Sequence, residues 1–194
     1  MASQPSSLLV IGIGNAIVDV IAQADDAFIA QRKLDKGGMR LIDAAEAEAL
    51  YAAMGPGTEM SGGSCANTMV GVALLGGAAG YVGRVRDDQL GAVFAHDLRA
   101  AGVRFTARPA QDGPPTARCL ILVTQDAQRT MNTYLGACIH LQPGDIDAEE
   151  IARGEVLYIE GYLWDQPPAK QACRKAMEIA ADNVWTINIS TAPP

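Results

Sequence analysis

Two residues far apart in the chain carry side chains suited to gripping a small polyhydroxylated molecule. Asp19 is a lone carboxylate inside the apolar run Ile17 to Ala22. A carboxylate there can accept two hydrogen bonds from vicinal hydroxyls, the geometry that a ribose or hexose offers. Asn67 is a lone carboxamide in the first turn of a helix that reads from about Ser64 to Leu75, after a strand end and the pair Gly62-Gly63. The paired glycines let another molecule approach the backbone, and the amides that open a helix favour polar or anionic groups. Plainer readings fit each position singly: a solvated residue on the outer face of an edge strand for Asp19, an ordinary loop for Gly62-Gly63, and a polar helical face for Asn67. Cys65, at the head of the same helix, reads as a small core thiol, and no catalysis is assigned to it. Met131 and Tyr134 suit either a ligand or the core.

The elements that must position these residues follow from periodicity. Leu8 to Ile13 and Ile17 to Ala22 read as strands, with Gly14-Asn15 as a bend between them. Ala24 to Leu34 reads as a helix, Met39 to Ile42 as a strand, and Ala44 to Met54 as an alanine-rich helix. Beyond the helix from Ser64, a strand is expected over Ala79 to Val85 and a helix from Gln89 to Ala101, started by Asp87-Asp88. Arg104 to Arg108, Ala117 to Thr124 and Arg129 to Tyr134 read as an antiparallel meander with a turn at Asp126-Ala127-Gln128. Val156 to Glu160, Pro168 to Asp182 and Val184 to Ile189 close the chain as strand, helix and strand. The alternation is that of an α/β fold with a mostly parallel sheet flanked by helices.

Composition narrows the classes of function. The 194 residues, 49% hydrophobic and 19% charged, suit one globular domain, and a formal charge of -7 opposes a phosphate-binding surface for nucleic acid. Four cysteines without a Cys-x-x-Cys pair and two histidines signal neither zinc nor a disulfide scaffold. No basic leader precedes Leu8 to Ile13, and that run is too short for a membrane span, so no membrane role and a cytoplasmic location are expected. Gly12-Ile13-Gly14 invites a dinucleotide-binding reading, but Ile17-Val18-Asp19-Val20 prefers a strand where that fold requires a helix.

Taken together, Gly14-Asn15 with Asp19, Gly62-Gly63 with Asn67, Gly83 to Asp88 with Gly91, Arg129-Thr130-Met131 through Gly136, and Glu160-Gly161-Tyr162-Leu163-Trp164 resemble the ribokinase-like, or pfkB, family of carbohydrate and nucleoside kinases. The likeness runs from about Leu8 to about Ile189 and is strongest to the adenosine-kinase-like sugar kinases. It implies a ribokinase-like, doubly wound sheet and a small β-sheet lid, with residues 1–194 forming the N-terminal, substrate-binding part of one domain. The lid strands would lie near 18–22, 39–42, 104–108 and 117–134. It further implies that Asp19 and Asn67 bind sugar hydroxyls, that the Gly62-Gly63 backbone lies against the ring, and that Asn15, Gly38 and Met39 line the same site.

The family's Asp-Thr-x-Gly-Ala-Gly-Asp segment and its Asn-x-x-Glu motif have no counterpart in these residues, so no catalytic residue and no metal ligand is assigned. ATP and Mg2+ are implied for the complete enzyme, with their binding residues outside this chain. Arg86 stands where the family commonly has glycine. The resemblance leaves an ATP-dependent kinase acting on a hydroxymethyl group of a sugar or nucleoside as the leading expectation, and a non-catalytic sugar-binding or regulatory module as the alternative. A chain inactive alone is expected, with uncovered sheet and helix faces that favour aggregation or a homo-oligomer, expected to be a dimer.

Overall fold

The computed structural model describes residues 7–183 and 186–190. Most of the leader reading over Met1 to Ser7, and Val184 at the head of the last expected strand, lie outside the described residues. In chain order the elements are β1 (Leu8–Ile13), β2 (Ile17–Gln23), α1 (Asp26–Gln31), β3 (Met39–Leu41), α2 (Ala44–Ala53), β4 (Gly57–Gly62), α3 (Ser64–Leu74) and β5 (Ala79–Val82). They continue with α4 (Gln89–Ala100), β6 (Arg104–Phe105), β7 (Ala117–Val123), β8 (Arg129–Tyr134), α5 (Ala148–Ile151), β9 (Gly154–Glu160), α6 (Pro167–Asn183) and β10 (Thr186–Ser190).

The continuous apolar runs of β1, β5 and β9 are those of strands covered on both faces. They join in a parallel sheet of order β10-β9-β1-β5-β6. One face packs Leu8, Ile11, Ile13, Leu157 and Ile159 against the alanine stripe Ala169, Ala172, Ala176 and Ala180 of α6. Small residues at helical spacing let that helix lie close to the sheet. The other face packs Val10, Ala79 and Tyr81 against Cys65, Ala66 and Met69 of α3 and Phe94 and Leu98 of α4. Within this sheet the chain winds from β1 through β5 to β6, then returns to the far side of β1 for β9 and β10. The strand order therefore reverses between β1 and β9, and a parallel sheet of this kind opens a crevice at the carboxyl ends of such a pair.

The second sheet has the order β3-β8-β7-β2-β4 and mixes parallel with antiparallel pairs. Val18, Val20, Ala22, Leu120 and Leu122 point to one face and are buried with Ile29, Ala47 and Leu50 of α1 and α2. The alternate residues form the opposite, open face, where Met39, Leu41 and Met60 are exposed and Ile17, Asp19 and Ile21 half-buried.

Three features depart from the sequence-based expectation. The strand placed at 104–108 within the lid is only Arg104–Phe105, and it pairs in parallel with β5 in the first sheet. Phe105 is held there by its rings' neighbours, with Tyr81 at 6.0 Å and Phe94 at 5.5 Å between centroids, while Arg104 makes a two-armed ion pair with Glu150. Conversely β4, of which the sequence marks only an end before Gly62-Gly63, runs antiparallel to β2 over all of Gly57–Gly62 and forms an edge of the second sheet. Its partner strand, rather than its own propensity, makes it a strand. The strand expected to reach Val85 stops at Val82, and Arg86 adopts no positive φ, so the glycine common at that position is not required.

Candidate functional site

Four connections cross between the two sheets among the described residues, at Gly14–Ala16, Gly63, 106–116 and Leu135–Gly136. The first two run side by side at the β1/β9 crevice. Gly63 has φ +88°, and a Cβ built on it would lie 2.7 Å from the Asn15 carbonyl oxygen, so only glycine lets α3 start this close to the bend after β1. No helix follows Gly14. The strand β2 does, which removes the dinucleotide-binding reading.

α1, α2 and α4 are each capped by an aspartate of their own segment, Asp25, Asp43 and Asp88. α3 is different, since its N-cap Gly63 supplies no side chain. Glu160, at the end of β9 and 3% exposed, does so through space. Its carboxylate accepts from the Asn15 amide at 2.7 Å, from the Cys65 amide at 3.3 Å and from the Ser64 hydroxyl. One buried anion thus ties three segments together at the head of a helix whose dipole favours it. Burial, and secondarily the Glu160 charge, pushes the Cys65 thiol well above its ordinary pKa, which keeps it protonated and inert.

Two polar atoms at this junction are buried without a partner: Asn15 Oδ1 and the Tyr81 hydroxyl at the carboxyl end of β5. Burial first, and the nearby Glu160 carboxylate with it, raises the tyrosine's pKa. Unpaired buried groups of this kind are uncommon and mark places where something else can bond. Removing Glu160 would add its two amide partners to them. Glu160→Ala is therefore expected to lower stability by about 3 kcal/mol, seen as a shifted midpoint in urea unfolding; an unshifted midpoint contradicts this role.

Asp19 stands on the open face of β2, aligned with Met60 of β4 and Cys119 of β7. Its carboxylate lies directly over Gly62, where any added Cβ would collide with it. Among the described residues it forms no hydrogen bond. Burial raises its pKa to about 6, with the Arg129 guanidinium opposing.

The sequence-derived residues are brought together unequally. Asp19, Gly62, Gly63 and Asn15 meet where the sheets join. Asn67 sits one helical turn beyond, donating its amide to the Gly63 carbonyl at 3.0 Å, and its side chain is exposed without a contact to Asp19. Met39 shares the open face with Asp19 but lies on β3, three strand spacings or about 14 Å away. Gly38 precedes it and is held by the Asp35 carbonyl at 3.0 Å. Glu160 entered the sequence reading only as part of the family-like run Glu160 to Trp164, with no role at the site. Its signal was available as a lone charge closing the strand Val156-Leu157-Tyr158-Ile159. A cavity of about 330 Å³ opens beside Tyr81, Gly83, Arg84, Thr106 and Arg108, and Asp19 is not among its lining residues.

A parallel sheet with helices on both faces, a second mixed sheet hung from it by four crossings, and a naked glycine backbone under a free carboxylate describe one class, the ribokinase-like kinases. Comparison with known proteins agrees. Residues 39–193 match the pfkB family carbohydrate kinase profile, and the chain belongs to that family. Among solved structures it is similar to the adenosine kinase from Sinorhizobium meliloti, with 52% identity and a TM-score of 0.83 over 94% of this chain and 56% of that one. It is similar also to a probable sugar kinase from Rhizobium etli CFN 42, with 48% identity and a TM-score of 0.85 over 95% and 56%. A 5-dehydro-2-deoxygluconokinase of Shouchella clausii is 34% identical over 63% of this chain and 39% of its own length. The chain thus spans little more than half the length of the solved relatives and about two fifths of that curated one. Among the described residues no helix is long and apolar enough to cross a membrane, and no group of three or more His, Cys, Asp or Glu could hold a metal ion.

Proposed function

We propose that this chain carries the acceptor-binding part of an ATP-dependent kinase that phosphorylates a hydroxymethyl group of a sugar or nucleoside. The observation that carries the reading is the Asp19 carboxylate, unbonded and poised over the bare Gly62 backbone at the junction of the two sheets. Its two oxygens accept from neighbouring hydroxyls, the glycines admit the ring, and Asn67 in the first turn of α3 supplies a further donor and acceptor. Met39 and Gly38, farther along the open face, form its outer wall and belong to the lid that closes over the ring. Bound MgATP would supply the phosphoryl group. The chain's own contribution is to orient the hydroxymethyl group and exclude water, which by itself accounts for a large part of the rate in such transfers.

Calorimetric titration with adenosine, ribose and fructose tests the proposal. Heat of binding with at least one of them, abolished by Asp19→Ala, is expected; no heat with any, or heat indifferent to that substitution, overturns it. The site also titrates. With a pKa of about 6, Asp19 is ionised at pH 7 and mostly protonated at pH 5, and only the ionised form accepts two hydrogen bonds. Affinity should therefore fall about tenfold between pH 7 and pH 5 and level off above pH 7, read from the same titrations. A flat profile would contradict the assignment.

A further inference from the structure

Thr116 is 1% exposed and stands where the long connection from β6 enters β7. Its hydroxyl donates to Asp88 Oδ1 at 2.7 Å and accepts from the Arg86 amide at 3.0 Å, while its own amide donates to Asp88 Oδ2 at 2.8 Å. Asp88 meanwhile caps α4 by accepting from the Gly91 amide at 2.8 Å. Capping needs one carboxylate oxygen; here both are used, and the second fastens the head of α4, a helix that also lies against β2, β4 and β6, to the entry of β7. Gly91 permits the approach, since a Cβ there would strike the Arg86 carbonyl and lie 3.1 Å from the Thr116 hydroxyl. The return crossing lies against the same point. Gly136, with φ +45°, leads into Ala137, whose amide donates to the Pro115 carbonyl at 2.9 Å.

The register carries this fastening to the site. Ala117, next after Thr116, is aligned with Ile17, and Cys119 with Asp19. We propose that Asp88 and Thr116 are positioning residues: their clip holds the entry of β7 against the head of α4 and so sets where Asp19 stands over Gly62. The proposal rests on the reading of Asp19 as a hydroxyl-binding group.

Thr116→Val keeps the shape, the backbone bond and the α4 cap while removing the hydroxyl; Asp88→Ser keeps a one-oxygen cap but cannot bridge. Both variants should weaken binding of adenosine or ribose about tenfold. Amide hydrogen exchange should quicken about tenfold at 18–20 and 118–120 relative to α4, and Thr116→Ser should restore both readouts. A role confined to stability would lower the melting temperature while leaving affinity and relative exchange unchanged, and that result overturns the proposal. Exchange is measured without ligand. If the native chain binds none of the sugars, the functional reading fails, whereas the clip still stands or falls on the exchange pattern.

Discussion

Asp19→Asn should make the protein more stable at pH 8 and a poorer binder at the same time. The folded state raises the Asp19 pKa from 3.8 to about 6. A carboxyl whose pKa is raised on folding is protonated in both states below pH 3.8 and carries no penalty there. As the pH climbs from 3.8 to 6 the unfolded chain ionises first, stability declines, and above 6 the full penalty is present. Two pKa units correspond to about 3 kcal/mol, and partial solvent access on the open face reduces this to about 1–3 kcal/mol. Asparagine, neutral throughout, escapes the penalty. Urea unfolding should show the variant more stable by that amount at pH 8 and equal to the native chain near pH 3.5; equal stability at both would contradict the burial argument. Binding moves the other way, because the carboxamide replaces one acceptor oxygen with a donor. Losing a charge-assisted hydrogen bond of about 1.5–3 kcal/mol weakens affinity roughly 10- to 150-fold. A residue that destabilises its own fold yet is needed for the ligand is what a binding site requires and a core does not.

Gly63→Ala should be the most damaging single-methyl change at the site. The residue holds φ +88° and ψ 144°, a conformation open essentially to glycine, and the new Cβ would meet a backbone carbonyl rather than a yielding side chain. Loss of about 3 kcal/mol or more is expected, together with loss of the Ser64 and Cys65 contacts to Glu160. Gly55→Ala is the control, having no atom within 4 Å of its Cβ and no positive φ. It should be neutral or slightly stabilising. Similar unfolding midpoints for the two variants would show that the crossing at Gly63 is not constrained.

Much of this architecture was legible in the sequence. Continuous apolar runs announced β1, β5 and β9, and the polar turn at Asp126-Ala127-Gln128 announced the β7–β8 hairpin, because burial on both faces and turn chemistry leave local marks. The bend at Gly14-Asn15 was readable for the same reason. β4 was legible only as a strand end before Gly62-Gly63, since its two glycines and polar residues become a full strand only beside β2. The sheet to which Arg104–Phe105 belongs was not legible, since it depends on an aromatic cluster assembled from Tyr81, Phe94 and Phe105. At the site, Asp19 and the glycines could be picked out because a charge in an apolar strand and a glycine pair are local anomalies. Glu160 could not be given its role: its charge at the end of an apolar strand is visible, but nothing near it in the sequence points to a helix start 96 positions away.

The most direct test is the position of a bound sugar. A crystal structure of the chain soaked with adenosine or ribose should show two ring hydroxyls on the Asp19 carboxylate, with the ring lying against Gly62 and Gly63. A ligand lodged instead in the cavity beside Gly83 and Arg108, with Asp19 left bare, would contradict the assignment of the site.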